Sequence, residues 1–98
     1  MHILNERTLM QFAERHVAAK SPLKVWIGIM RAARYASSVE VKQAFPSVSF
    51  LGDEKTIFNI GGNKYRLVVN MVYSMGRVFV RHVLTHEEYD RLSREGKL

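Results

Sequence analysis

The stretch from Arg81 to Tyr89 carries side chains able to handle a phosphodiester. Arginine presents a planar fork of donors that matches phosphate oxygens. Histidine titrates near neutrality and passes a proton in either direction. A tyrosine hydroxyl can hydrogen-bond a ribose or give up a proton, and its ring can stack on a base. His86 and Tyr89 are three residues apart, which puts them on one side of a helix. Further back, Lys64, Arg66, Asn70 and Phe79 add two cations, an amide and an aromatic ring. Cations interleaved with an aromatic suit a phosphate backbone with a base stacked beside it. The formal net charge of +6 points the same way, toward an anionic partner. A blander reading gives these residues to a solvated strand face whose charges only discourage aggregation. Strand alternation alone weighs the two equally.

The elements that must position these groups are legible in outline. Ile3 and Leu4 form a short strand or extended lead-in, and Asn5 is a good N-cap. From Glu6 to about Ala19, Leu9, Phe12, Ala13 and Val17 recur at helical spacing. Ser21-Pro22 stops that helix and starts a second, which runs to about Tyr35 with Leu23, Trp26, Ile27, Met30 and Ala33 on its stripe. The short linker makes the pair a helical hairpin. Val39 to Ala44 is a short helix ended by Pro46, and Ser47 to Lys55 reads as a loop. From Thr56 the period becomes that of strands. Thr56–Ile60, Asn63–Tyr73 and Arg77–Leu84 are joined by Gly61-Gly62 and by Ser74-Met75-Gly76, giving an antiparallel meander. Thr85-His86-Glu87-Glu88 has capping-box spacing, so a last helix begins there and continues to Arg94. Segregated helices and antiparallel strands make an α+β fold.

The helical hairpin must cover one sheet face, leaving the other free. In the central strand Tyr65, Leu67, Val69 and Met71 share a face, assigned to the core; Lys64, Arg66, Val68, Asn70 and Val72 share the other. In the next strand Val78, Val80, His82 and Leu84 are assigned inward, and Phe79, Arg81 and Val83 outward. The open surface then carries Lys64, Arg66 and Arg81 beside Asn70 and Phe79.

With 98 residues the chain fits one domain, residues 1–98. The absence of cysteine excludes a disulfide framework, a thiol nucleophile and thiolate metal sites, and favours a cytoplasmic setting. No signal peptide or membrane span is legible. His82 and His86 are four apart, but no third ligand has convincing spacing, so neither metal nor cofactor is expected. Gly61-Gly62 lacks the spacing of a phosphate-binding loop and is read as a turn. Trp26 and Met30 belong to the core, and Thr85 and Glu88 to the cap.

The run Phe58-Asn59-Ile60-Gly61-Gly62-Asn63-Lys64-Tyr65-Arg66-Leu67, with Val80 through Asp90, resembles the HigB branch of the RelE-type toxins over nearly the whole chain. The resemblance implies a RelE-like fold: a helical hairpin on a small antiparallel sheet with a short C-terminal helix. It implies a type II toxin that cleaves messenger RNA, in many relatives during translation on the ribosome. The implied partners are mRNA, the ribosome and a helix-turn-helix antitoxin, with DNA reached only through that antitoxin and no membrane involved. Arg66, Arg81, His86 and Tyr89 fall where the family keeps its active-site residues.

The chemistry those residues support is attack of a ribose 2′-OH on the adjacent phosphorus, without metal. Arg66 and Arg81 would stabilise the developing charge. His86 would transfer a proton, Tyr89 would position the ribose or base or share the acid role, and Lys64 would add field. Asn70 and Phe79 complete the RNA-binding set. The rivals are a non-catalytic basic RNA- or protein-binding module and a corepressor.

Overall fold

The computed structural model describes residues 1–52 and 55–98; Asp53 and Glu54, inside the stretch read as a loop, lie outside the described residues. The chain runs β1 (His2–Leu4), α1 (Glu6–Arg15), α2 (Lys20–Ala32), α3 (Ser38–Ala44), β2 (Ser49–Leu51), β3 (Lys55–Ile60), β4 (Tyr65–Val72), β5 (Arg77–Thr85) and α4 (His86–Arg94). No helix among the described residues is long and apolar enough to cross a membrane.

The expected meander of β3, β4 and β5 is present and is extended at both edges, in the order β1-β5-β4-β3-β2. β2 pairs antiparallel with β3, inside the segment read as a loop. Its three residues are all exposed, so it carries no alternation from which a strand is read. β1 pairs parallel with β5, His2 against Arg77 and Leu4 against Phe79, so the sheet is mixed. The result is an α+β architecture, helices against one face of a five-stranded mixed sheet.

The two long helices differ from expectation at their junction. α1 stops at Arg15, and a 3₁₀ turn over Val17–Ala19 leads directly into α2 at Lys20. Pro22 therefore lies in the first turn of α2, where its missing N–H costs nothing, and Ser21 makes no side-chain cap. Asn5 holds the N-cap position of α1 in a left-handed conformation, and its amide donates to the Val80 carbonyl at 3.4 Å instead of capping.

Leu9, Phe12, Leu23, Trp26 and Met30 from the helices seal against Phe58, Ile60, Leu67, Val69, Val78 and Val80 of the sheet. Trp26 and Phe45 both meet the Phe58 ring edge-on, with centroids 5.5 and 4.9 Å apart. This is the aromatic geometry that quadrupoles favour. The turn into β5 closes on Gly76 at φ 63°; a side chain there would also collide with the Arg34 guanidinium.

Candidate active site

The central strand presents its side chains as alternation predicts. Tyr65, Leu67 and Val69 are in the core, with Met71 packed against it. Arg66, Val68 and Asn70 are on the opposite face, across from Asn59, Ile57 and Lys55 of β3. Lys64 departs from the expectation. The connection between β3 and β4 takes four residues, Gly61–Lys64, rather than two, so Lys64 is exposed in the turn and not on the strand. Its backbone carbonyl accepts the His86 N–H at 3.0 Å and so ties the turn to the start of α4.

β5 departs more instructively. Val68 stands opposite His82 and Val69 opposite Val80, which leaves Arg81 as the extra residue of a β-bulge. A bulge advances the strand by one residue without advancing its partner, so every later side chain changes face. Val83 consequently joins the core, and His82 and Leu84 stand on the open face beside Val68 and Arg66, the reverse of the expected assignment. Phe79, ahead of the bulge, faces outward opposite Asn70 as expected.

The open face gathers the sequence-predicted residues into two groups. At the junction of β5 and α4, an Arg66 terminal nitrogen lies 3.1 Å from His86 Nδ1. The other Arg66 terminal nitrogen donates to the backbone carbonyls of Asn63 and Tyr65, which fixes where the guanidinium sits. Its central carbon lies 5.8 Å from the Tyr89 ring centroid, within cation–π range. His86 Nε2 lies 2.9 Å from the Asp90 carboxylate one helical turn on. The second group is formed at the bulge: Arg81 donates its Nε–H to the Asn70 side-chain oxygen, and its guanidinium covers the Phe79 ring at 5.6 Å. Among the described residues no contact joins Arg81 to Arg66 or His86; Val68 and His82 lie between the groups.

The hydrogen bonds settle the tautomer of His86. Guanidinium has donors and no acceptor, so a hydrogen bond from Arg66 requires an unprotonated Nδ1. Nε2 then carries the hydrogen and donates to Asp90. Both side chains are nearly half exposed, at 48% and 45%, so the pair orients the ring more than it stabilises the fold. Asp90 was absent from the sequence-derived set. Its signal was available, since positions i and i+4 of a helix are neighbours.

α4 holds this geometry through its cap. Thr85 Oγ1 accepts the Glu88 N–H at 3.2 Å, and the Glu88 carboxylate accepts the Thr85 N–H at 2.9 Å. That backbone hydrogen bond pulls the Glu88 carboxyl below the usual range, against a smaller opposing effect of burial. His82 is displaced as well. Burial favours its neutral form, and the nearby cations Lys55 and Arg81 push in the same direction. Among the described residues, no group of three or more His, Asp or Glu side chains is arranged to hold a metal ion.

The family model of the HigB toxin, a RelE-like toxic component of a toxin–antitoxin system, matches residues 19–92, a span that includes both groups. The chain is similar to the mRNA interferase toxin HigB of Escherichia coli strain K12, at 33% identity over 93 residues, covering 92% of this chain and 88% of that protein. The mRNA interferase HigB of Shigella flexneri matches to the same extent. The mRNA interferase HigB of Escherichia coli O6:H1 is 26% identical over 96 residues, covering 96% of this chain and 93% of that protein.

Proposed function

The chain belongs to the HigB family of RelE-like toxins, and on that premise we propose that it is an endoribonuclease that cuts messenger RNA. The observation that carries the chemistry is the hydrogen bond of Arg66 to His86 Nδ1, on an imidazole whose other nitrogen is held by Asp90. A phosphate oxygen is a stronger partner for a guanidinium than a neutral imidazole is. When RNA arrives, Arg66 exchanges the ring for the scissile phosphate. That exchange frees Nδ1 and leaves the ring oriented by Asp90.

The ribose 2′-OH then attacks the adjacent phosphorus, and the reaction leaves a cyclic phosphate and a free 5′-OH. Arg66 and Arg81 meet the charge that grows on the phosphorane oxygens. His86 moves a proton, with Asp90 steadying the imidazolium that forms. Tyr89 positions the ribose or a base beside Arg66. Lys64 raises the local potential at the mouth of the site, and Asn70 and Phe79 hold the flanking nucleotide with Arg81. No step calls for a metal ion. The cut is made on translating ribosomes in the cytoplasm, and an antitoxin with a helix-turn-helix domain neutralises the chain and links it to DNA.

The test is to induce the chain and map new RNA ends that carry a 5′-OH, with translation running and with it arrested. New 5′-OH ends within messengers, reduced when ribosomes are arrested before induction, are the expected result. Salt-dependent RNA binding with no new ends would make the chain a non-catalytic RNA-binding module instead.

A further inference from the structure

The bulge at Arg81 has brought a second imidazole onto the RNA-facing surface. His82 stands opposite Val68, and Arg66 opposite Leu84, so His82 and Arg66 are diagonal neighbours across β4 and β5. Such neighbours have backbones about 7–8 Å apart, within reach of long and aromatic side chains. The His82 ring makes no hydrogen bond among the described residues, whereas both nitrogens of His86 are taken. It is half-buried between the two arginine groups, beside the buried Val68 and Ile57 of the same face.

The geometry points to His82 as a further catalytic residue: the acceptor of the 2′-OH proton, with His86 as the donor to the leaving oxygen. The inference rests on the RNA-cleaving reading above and divides its labour between two rings. In the step, the O2′ proton passes to the free ring nitrogen of His82 while the O2′–P bond forms. The P–O5′ bond breaks, and O5′ takes a proton from His86. Once Arg66 has left for the phosphate, His86 Nδ1 takes up a solvent proton and Asp90 faces the resulting imidazolium. Exchange of both protons with water restores the two rings. Burial and the flanking cations Lys55 and Arg81 keep His82 in the lone-pair form that accepts a proton. No carboxylate is paired with it among the described residues, in contrast to His86.

A 5′-bridging sulfur separates the two roles, because a thiolate leaves without being protonated. The substrate is a ribosome-bound messenger containing one mapped cleavage site, made with either oxygen or sulfur at the 5′-bridging position. On the oxygen substrate, His82→Ala and His86→Ala are each expected to lose roughly 10²–10⁴-fold in rate. On the sulfur substrate His86→Ala recovers most of its loss, and His82→Ala recovers none. His82→Gln, close in shape, behaves like His82→Ala, and thermal melting of both verifies that they are folded. Cutting by His82→Ala at the wild-type rate, or its rescue by sulfur, overturns the assignment of His82 while leaving the nuclease reading intact. A wild-type chain that leaves the oxygen substrate uncut, or cuts it to 5′-phosphate ends, overturns both.

Discussion

On the helix-covered side of the sheet, Leu67, Val69, Val78 and Val80 are sealed under Leu9, Leu23 and Trp26. On the opposite side, Arg66, Arg81, His82 and Asn70 surround a floor of Ile57 and Val68, with Leu84 and Phe79 on the same face. One five-stranded sheet makes both faces, yet they solve different problems. The covered face must exclude water, so its side chains are interchangeable by volume and their loss is felt by the whole fold. The open face must hold charged groups at chosen separations. It does so with short local devices: a bulge, a turn carbonyl and a helix cap. A substitution that separates stability from activity therefore reports which face it touched.

The sharpest break comes from the covered side. Phe58→Ala deletes a fully buried ring that meets both Trp26 and Phe45, and is expected to cost about 3–5 kcal/mol of stability. Denaturant unfolding measures it, with activity falling only as the folded fraction falls. Arg66→Ala is the counterpart on the open side. It should lower the cleavage rate roughly 10²–10³-fold, the scale of losing one preorganised charge donor at a transition state. The unfolding midpoint should stay near that of the wild type, since Arg66 is only partly buried and makes no core contact. If Arg66→Ala unfolds the protein, or cuts at the wild-type rate, the division between the faces fails.

Smaller effects test the devices themselves. Thr85→Ala removes the cap oxygen of α4 and should cost about 1 kcal/mol, seen as a lowered melting temperature. The Glu88 carboxyl titrates lower in the folded chain than its ordinary value of 4.5, so its contribution is complete above that value and is lost as the pH falls. Acid unfolding of Thr85→Ala should then be less steep over that range than that of the wild type. The smallest change is Asp90→Asn. Exposed pairs of this kind are worth under ~1 kcal/mol, so the cleavage rate should drop only several-fold.

Residue types and spacing made one face of this molecule easier to read than the other. Period puts Tyr65, Leu67 and Val69 on one face of β4, and the polar Arg66 and Asn70 mark the other as open, while the Thr85–Glu88 cap follows from spacing. β5 has no glycine or proline at Arg81: Arg77-Val78-Phe79-Val80 precede it and His82-Val83-Leu84-Thr85 follow. A bulge there adds one residue and leaves no mark, so His82, Val83 and Leu84 are read on the wrong faces. Lys64 is misplaced for a related reason: Gly61-Gly62 fits a two-residue loop, while the chain uses four residues to deliver the Lys64 carbonyl to His86. β2 and the break at His16 leave no signal because neither contains glycine or proline nor alternates. Residue type and the family resemblance single out the arginines, His86 and Tyr89 in the sequence, but the Asp90 contact and the splitting of the open face into two groups are visible only in the structure.

The measurement that bears most directly on the open face replaces one 2′-OH by hydrogen at the mapped cleavage position of an otherwise unchanged messenger. If the arginine and histidine side chains act on that hydroxyl, the modified RNA still binds but is not cut there. A cut at the 2′-deoxy position at an undiminished rate would contradict this account, because the nucleophile would then have to come from elsewhere.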